Sequence, residues 1–159
     1  AHSRQGSPMK KISTGLLLAT LLAAPSSFAV DQERAEAAYE SRHGLFAMIR
    51  MYFAPMYGMM RGAPYDADVV KYNAAKISVL AGMIPDAFTV DTRDNNLDTE
   101  ALNGIWDDIK DFQSKAATLA DRAATLSSEG STGQDAFASA FGGMGQACKA
   151  CHDNYRQQD

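Results

Sequence analysis

Apolar residues recur at three- and four-residue spacing along most of the chain, the period of helices that each lay one face on a core. From Asp31 to about Ala54 the stripe is Ala35, Ala38, Tyr39, Leu45, Phe46, Ile49, Tyr52 and Phe53, with Met56 beyond. Pro55 is expected to disrupt or end this helix, and Gly58, Arg61, Gly62 and Pro64 to form a turn. Asp66 caps a second helix through Val69, Tyr72, Asn73, Ile77, Leu80 and Met83, which ends before Pro85. The polar run Asp86 to Asp98 reads as a connecting loop of crossover length. Asp98 or Thr99 opens a third helix, with Leu102, Ile105, Trp106, Ile109, Phe112, Ala116, Leu119, Ala123 and Leu126 on one face. Ser131 with Gln134 forms a possible capping box for a fourth helix. Its apolar line runs Phe137, Phe141, Met144, Cys148, Cys151, His152, Tyr155.

Gly142, Gly143 and Gly145 interrupt that line, each at a cost of roughly 1 kcal/mol against Ala in a helix interior. Either something approaches this backbone closely, or the helix begins only at about Gly145. No stretch alternates with strand period and no repeat is present. Four amphipathic helices predict an all-α fold, an antiparallel four-helix bundle, whose core is a place to hold a cofactor between facing helices.

The N-terminus narrows the picture. Residues 1–8 look like a vector-derived leader or a misassigned start. Met9-Lys10-Lys11, the apolar run Ile12 to Ala24 and the small-x-small site Ser27-Phe28-Ala29 read as a secretory signal over 9–29. The run is too short for a comfortable membrane span. Residues 30–159 then form one domain with 12 basic against 19 acidic side chains, a balance unsuited to nucleic acid or an anionic membrane. The expected location is the periplasm.

The chemistry concentrates near the C-terminus, where both cysteines of the chain stand in Cys148-Lys149-Ala150-Cys151-His152. C-x-x-C-H is the spacing of c-type haem attachment: two thiols for two vinyl groups, and an adjacent imidazole for the iron. On a helix the three residues share a face. A thioredoxin-like motif would need a strand before it, and a zinc site about four ligands. A disulfide in a haem-free helical interaction module would leave His152 unexplained. Arg42 lies on the first helix's apolar stripe and needs an acidic partner, either a haem propionate or, at the stripe's edge, Glu36, Glu40 or water. No acid/base pair or nucleophile constellation stands out, so no catalytic residue is expected.

The chain from the first helix to the end resembles the cytochrome c′ family. The resemblance rests on Arg42-x-x-x-Phe46, on Ala63-Pro64-Tyr65-Asp66-Ala67, on Ile105-Trp106, and on the ending from Ala140-Phe141-Gly142 through Cys148, Cys151 and His152 to Tyr155-Arg156. It implies one haem c held by Cys148 and Cys151, with His152 as proximal ligand. It also implies that Phe46 faces the sixth iron position; one slip of register would place Leu45 there. A phenyl ring has no lone pair, so the iron is expected to be five-coordinate and high-spin. Met48 or Met51 could make it a six-coordinate, low-spin electron carrier instead, although both sit off the Phe46 face. Arg156, four past His152, is implied to lie beside the proximal histidine. The expected function is single-electron transfer and binding of nitric oxide and carbon monoxide, with an unidentified redox partner and homodimerisation. Relatives with Trp after the proline that ends the second helix differ from Pro85-Asp86 here, which leaves the local packing open.

Overall fold

The computed structural model describes residues 30–158; the expected leader and signal over 1–29 lie outside them. Six helices occur among these residues: α1 Gln32–Met60, α2 Ala67–Gly82, α3 Ile84–Ala87, α4 Gly104–Asp107, α5 Ile109–Ser128 and α6 Gln134–Tyr155, with a 3-10 turn at Gly130–Thr132. The four long ones form the bundle. Ser78 and Ser127 of α2 and α5 donate to Ala120 O and Lys71 O at 2.9 and 2.8 Å, a crossed pairing that only antiparallel helices give. The largest fully buried side chains are Met56, Val70, Ile77, Leu126, Phe137 and Met144 from the four long helices, with Ile105 from α4.

Several expected boundaries move. Pro55 does not end α1, which runs one and a half turns further. Proline removes a single helical hydrogen bond on an exposed face, while Met56 just beyond it is wholly buried. The helix ends instead in a Schellman turn: Ala63 N–H reaches Gly58 O at 3.0 Å and Gly62 N–H reaches Met59 O at 3.2 Å. Gly62 supplies the positive φ of 107° that this turn requires.

Asp66 caps α2 as expected, accepting from Asp68 and Val69 N–H. The buried face of α2 is Val70, Asn73, Ala74, Ile77 and Ala81, rotated from the expected one, so that Tyr72 and Met83 are exposed. Small alanines let α5 approach closely on that side. Pro85 sits in the first turn of α3, where its missing N–H costs nothing. The third helix is split. Asp108, not Asp98 or Thr99, caps α5 through Asp111 N–H at 3.1 Å, leaving α4 as a separate turn. Ser131 does not cap α6; its hydroxyl donates back to Ser127 O at 2.9 Å, and α6 starts after an extended Gly133. The helix then runs unbroken through Gly142, Gly143 and Gly145, which removes the expectation of a start at Gly145.

Candidate haem site

The last two turns of α6 present Cys148, Cys151 and His152 together. Both thiols are free and half-buried, without a disulfide between them. Desolvation pushes both thiols up, Cys151 to about 11, so they stand as neutral thiols at neutral pH. His152 is exposed as a residue, yet its ring meets enough protein that desolvation, with the charge of Arg156, lowers its basicity. Cys148 and His152 line a cleft of about 410 Å³ with Gly145, Lys149, Asp153 and Arg156. A Cβ built on Gly142 or Gly145 would meet nothing within 4 Å, so no helix has claimed the space beside this backbone.

The first helix supplies the opposite side. α1 and α6 meet through Phe53 and Phe141, stacked with centroids 5.1 Å apart. In an antiparallel pair, seven residues back along α1 lies level with seven residues on along α6. By that count Phe46 corresponds in register to Cys148, and Arg42 to His152. Phe46 is half-buried and meets Phe88 edge-on at 6.4 Å. Leu45 is half-buried against the same core. Met48 and Met51 are 41% and 52% exposed.

Arg42 departs from the edge-of-stripe expectation. It is buried, and neither Glu36 nor Glu40 pairs with it. Nε donates to Ala87 O at 2.9 Å, Nη1 to Thr92 Oγ1 at 2.9 Å and Nη2 to Val90 O at 2.6 Å. The guanidinium carbon lies 4.5 Å from the Phe88 ring centroid and 5.3 Å from that of Trp106. Burial lowers its pKa, partly offset by Asp91. The side chain thus ties α1 to the segment after α3 and uses three of a guanidinium's five N–H groups.

The sequence reading missed the residues that join the two sides. Phe88 lies in the segment taken as polar loop, yet it is buried and packs on Phe46, on Trp106 and, at 4.8 Å, on Phe112. Phe112 meets Tyr155 edge-on at 5.4 Å, three residues past His152. A ring chain Phe46–Phe88–Phe112–Tyr155 therefore runs from the first helix to the end of the last. The signal available was a lone aromatic after Pro85. Arg156 shares the cleft with His152 and pairs with Glu100 at 2.6 Å, a partner that no local spacing announces.

Two thiols at helical C-x-x-C spacing, an imidazole on the same face, open backbone at Gly145 and an aromatic wall at matching height fit a porphyrin attached through its edge. A bundle so equipped is that of a c-type haem protein. A family model described as Cytochrome C′ matches residues 37–156. Cytochrome c′ of Cereibacter sphaeroides is 35% identical over 144 residues, covering 89% of this chain and 96% of that protein. Cytochrome c-554 of the same organism is 32% identical, covering 95% and 100%. A solved cytochrome c′ from Rhodobacter Spheriodes superposes with a TM-score of 0.72 at 34% identity, covering 79% of this chain and 98% of that one. A nitric oxide complex of a variant cytochrome c prime from Alcaligenes xylosoxidans superposes at 0.67 with 32% identity, covering 78% and 97%. The chain belongs to the cytochrome c′ family, and its cofactor is covalently attached haem c.

Proposed function

We propose that this protein is an exported, five-coordinate cytochrome that exchanges single electrons and binds nitric oxide, and carbon monoxide more weakly, at an open iron position. Cys148 and Cys151 would hold the haem as thioethers, each S–H adding across one vinyl group with no external oxidant. His152 supplies the proximal nitrogen. Bound haem would supply one-electron chemistry and an iron able to take a diatomic ligand. Phe46 closes that position by bulk and offers no lone pair and no hydrogen-bond donor, which disfavours dioxygen relative to nitric oxide. Arg42 fixes the wall, and its two remaining N–H groups are the ones a propionate would use. The role is ligand binding and electron exchange rather than catalytic turnover.

What supports this reading is the Phe53–Phe141 stack, from which Phe46 and Cys148 fall at the same residue count along α1 and α6, while Met48 and Met51 are exposed. The nitric oxide complex of the Alcaligenes relative supports the same assignment. Likeness to cytochrome c-554 keeps a second reading in play, a six-coordinate, methionine-ligated carrier. Optical spectra of the purified protein with and without nitric oxide separate the two. High-spin ferric and ferrous spectra, with loss of the His–iron bond on adding the gas, support the open site. A low-spin ferric spectrum with a methionine-to-iron charge-transfer band would sink it.

Export rests on residues 9–29, and among the described residues no helix is long and apolar enough to cross a membrane. Met48 and Met51 on α1, with Tyr72 and Val79 on α2 and Met83 just past its end, are exposed apolar side chains. They favour a homodimer through α1 and α2, which sedimentation velocity tests directly.

A further inference from the structure

The C-terminal end of α6 is strapped. Residues 100–102 run beside it as a short antiparallel bridge, Ala101 opposite Arg156. Leu102 N–H donates to Tyr155 O at 3.0 Å and Gln157 N–H to Glu100 O at 2.7 Å. Arg156 leaves the helix in an extended conformation (φ −119°, ψ 137°), while its N–H still reaches His152 O at 3.1 Å. Its backbone is therefore held between the strap and the carbonyl of His152. The side chain is held as well: Nε donates to Glu100 Oε2 at 2.6 Å. Glu100, Arg156 and His152 lie within electrostatic reach of one another, and Arg50 of α1 within reach of Glu100.

We propose that Glu100 is a positioning residue for the proximal side of the haem, acting through Arg156. The proposal rests on the reading of His152 as proximal ligand. The strap and the carboxylate do two separate things. They aim the guanidinium along the cleft that His152 shares, so that it does not swing into solvent. The carboxylate also offsets part of a positive charge whose field acts on the proximal imidazole and the iron behind it. An exposed ion pair contributes little to folding. What it fixes here is a direction and a local potential, which is how a surface pair on a rigid strap acquires a functional effect.

The test is a double-mutant cycle on the haem-loaded protein, read on the reduction potential, with Glu100→Gln and Glu100→Ala each combined with Arg156→Leu. Glu100→Gln keeps size and an acceptor oxygen but drops the charge, and Glu100→Ala drops both. In the protein that keeps Arg156, each substitution removes the carboxylate charge beside the guanidinium and favours the ferrous form by about threefold. In the Arg156→Leu protein the same substitutions have less than half that effect. Glu100→Asp restores most of the native value. Ferrous resonance Raman adds a readout that folding does not move: the His–iron stretch shifts downward in Glu100→Gln while circular dichroism and melting temperature stay put. Equal shifts with and without Arg156 would overturn the proposal, since Glu100 would then act by its own charge. So would an unchanged potential in Glu100→Ala. Absence of a His–iron stretch from the unaltered protein, with a low-spin spectrum, would instead refute the five-coordinate reading. The cycle on the potential reports on Glu100 and Arg156 in either case.

Discussion

The two walls of the haem site are built from opposite materials. On the α6 side His152 is exposed, and the groups around it are charged and paired: Arg156 with Glu100, Lys149 with Asp153. On the α1 side Phe46 stands on Phe88, which is backed by Trp106 and Phe112 and braced by a buried arginine with three hydrogen bonds. Close-packed rings resist displacement, because moving one opens a void that the others cannot fill. Exposed ion pairs rearrange at little cost. On the proposed reading, a ligand arriving on the aromatic side meets a stiff obstruction, whereas the bond on the histidine side sits in surroundings able to give way.

The largest expected change comes from abolishing the contrast in chemistry. Phe46→Met places a thioether where the wall has no lone pair. The expected outcome is a low-spin, six-coordinate spectrum, with carbon monoxide affinity reduced by roughly tenfold or more through competition with the internal ligand. If the spectrum stays high-spin while Leu45→Met converts it, the wall residue is Leu45. If neither converts it, α1 does not face the iron.

A smaller change comes from loosening the wall without touching it. Phe88 does not line the cleft beside His152 and packs on Phe46, so its expected effect on the ligand passes through Phe46. Phe88→Ala is expected to cost about 3–5 kcal/mol in denaturant unfolding, the range for a buried phenylalanine. Phe88→Leu fills more of the space, keeps the fold, and is expected to raise the carbon monoxide association rate about threefold as Phe46 gains rotamer freedom. Flash photolysis measures that rate, and an unchanged value would show that Phe46 is held by α1 alone.

How much of this was legible in the sequence follows the same division. The α6 side was readable because its chemistry is local: Cys148, Cys151 and His152 fall within five residues, and helical spacing alone puts them on one face. The cap at Asp66 was readable for the same reason. The α1 side was read only through resemblance, because its meaning depends on partners far along the chain. Arg42 finds its acceptors 45 to 50 residues away, and two of the three are backbone carbonyls, which carry no sequence signal. Pro55 misled because its local penalty is visible in sequence and the burial of Met56 that outweighs it is not. The capping box at Ser131 failed because the serine found a closer carbonyl in the preceding helix. Glu100 was invisible because only the bridge at Ala101 brings it to Arg156.

The finest test of the comparison lies at the joint between the two walls. Tyr155 ends the ring chain on the aromatic side and stands one turn past His152 on the other. Its hydroxyl donates to Asp111 Oδ2 at 2.6 Å. That bond, with help from Lys115, holds Asp111 below its ordinary 3.8, and burial with the same carboxylate pushes the Tyr155 hydroxyl far up, beyond the pH range in which the fold is assayed. A carboxyl group whose pKa is lower folded than unfolded stabilises the fold above its unfolded value and loses that contribution as pH falls through the folded one. Tyr155→Phe keeps the ring contact with Phe112 and removes only the hydroxyl. It is expected to lower the melting temperature by a few degrees between pH 5 and 7. The gap should narrow below pH 3.8 and close once Asp111 is protonated in both proteins. A gap that stays constant into strong acid would mean that the hydroxyl acts as a neutral packing group. The haem spectrum should not move at neutral pH, because the ring chain is intact. A spectral shift in Tyr155→Phe would show instead that the charge on Asp111 is felt at the iron, joining the aromatic wall to the electrostatics of the other side.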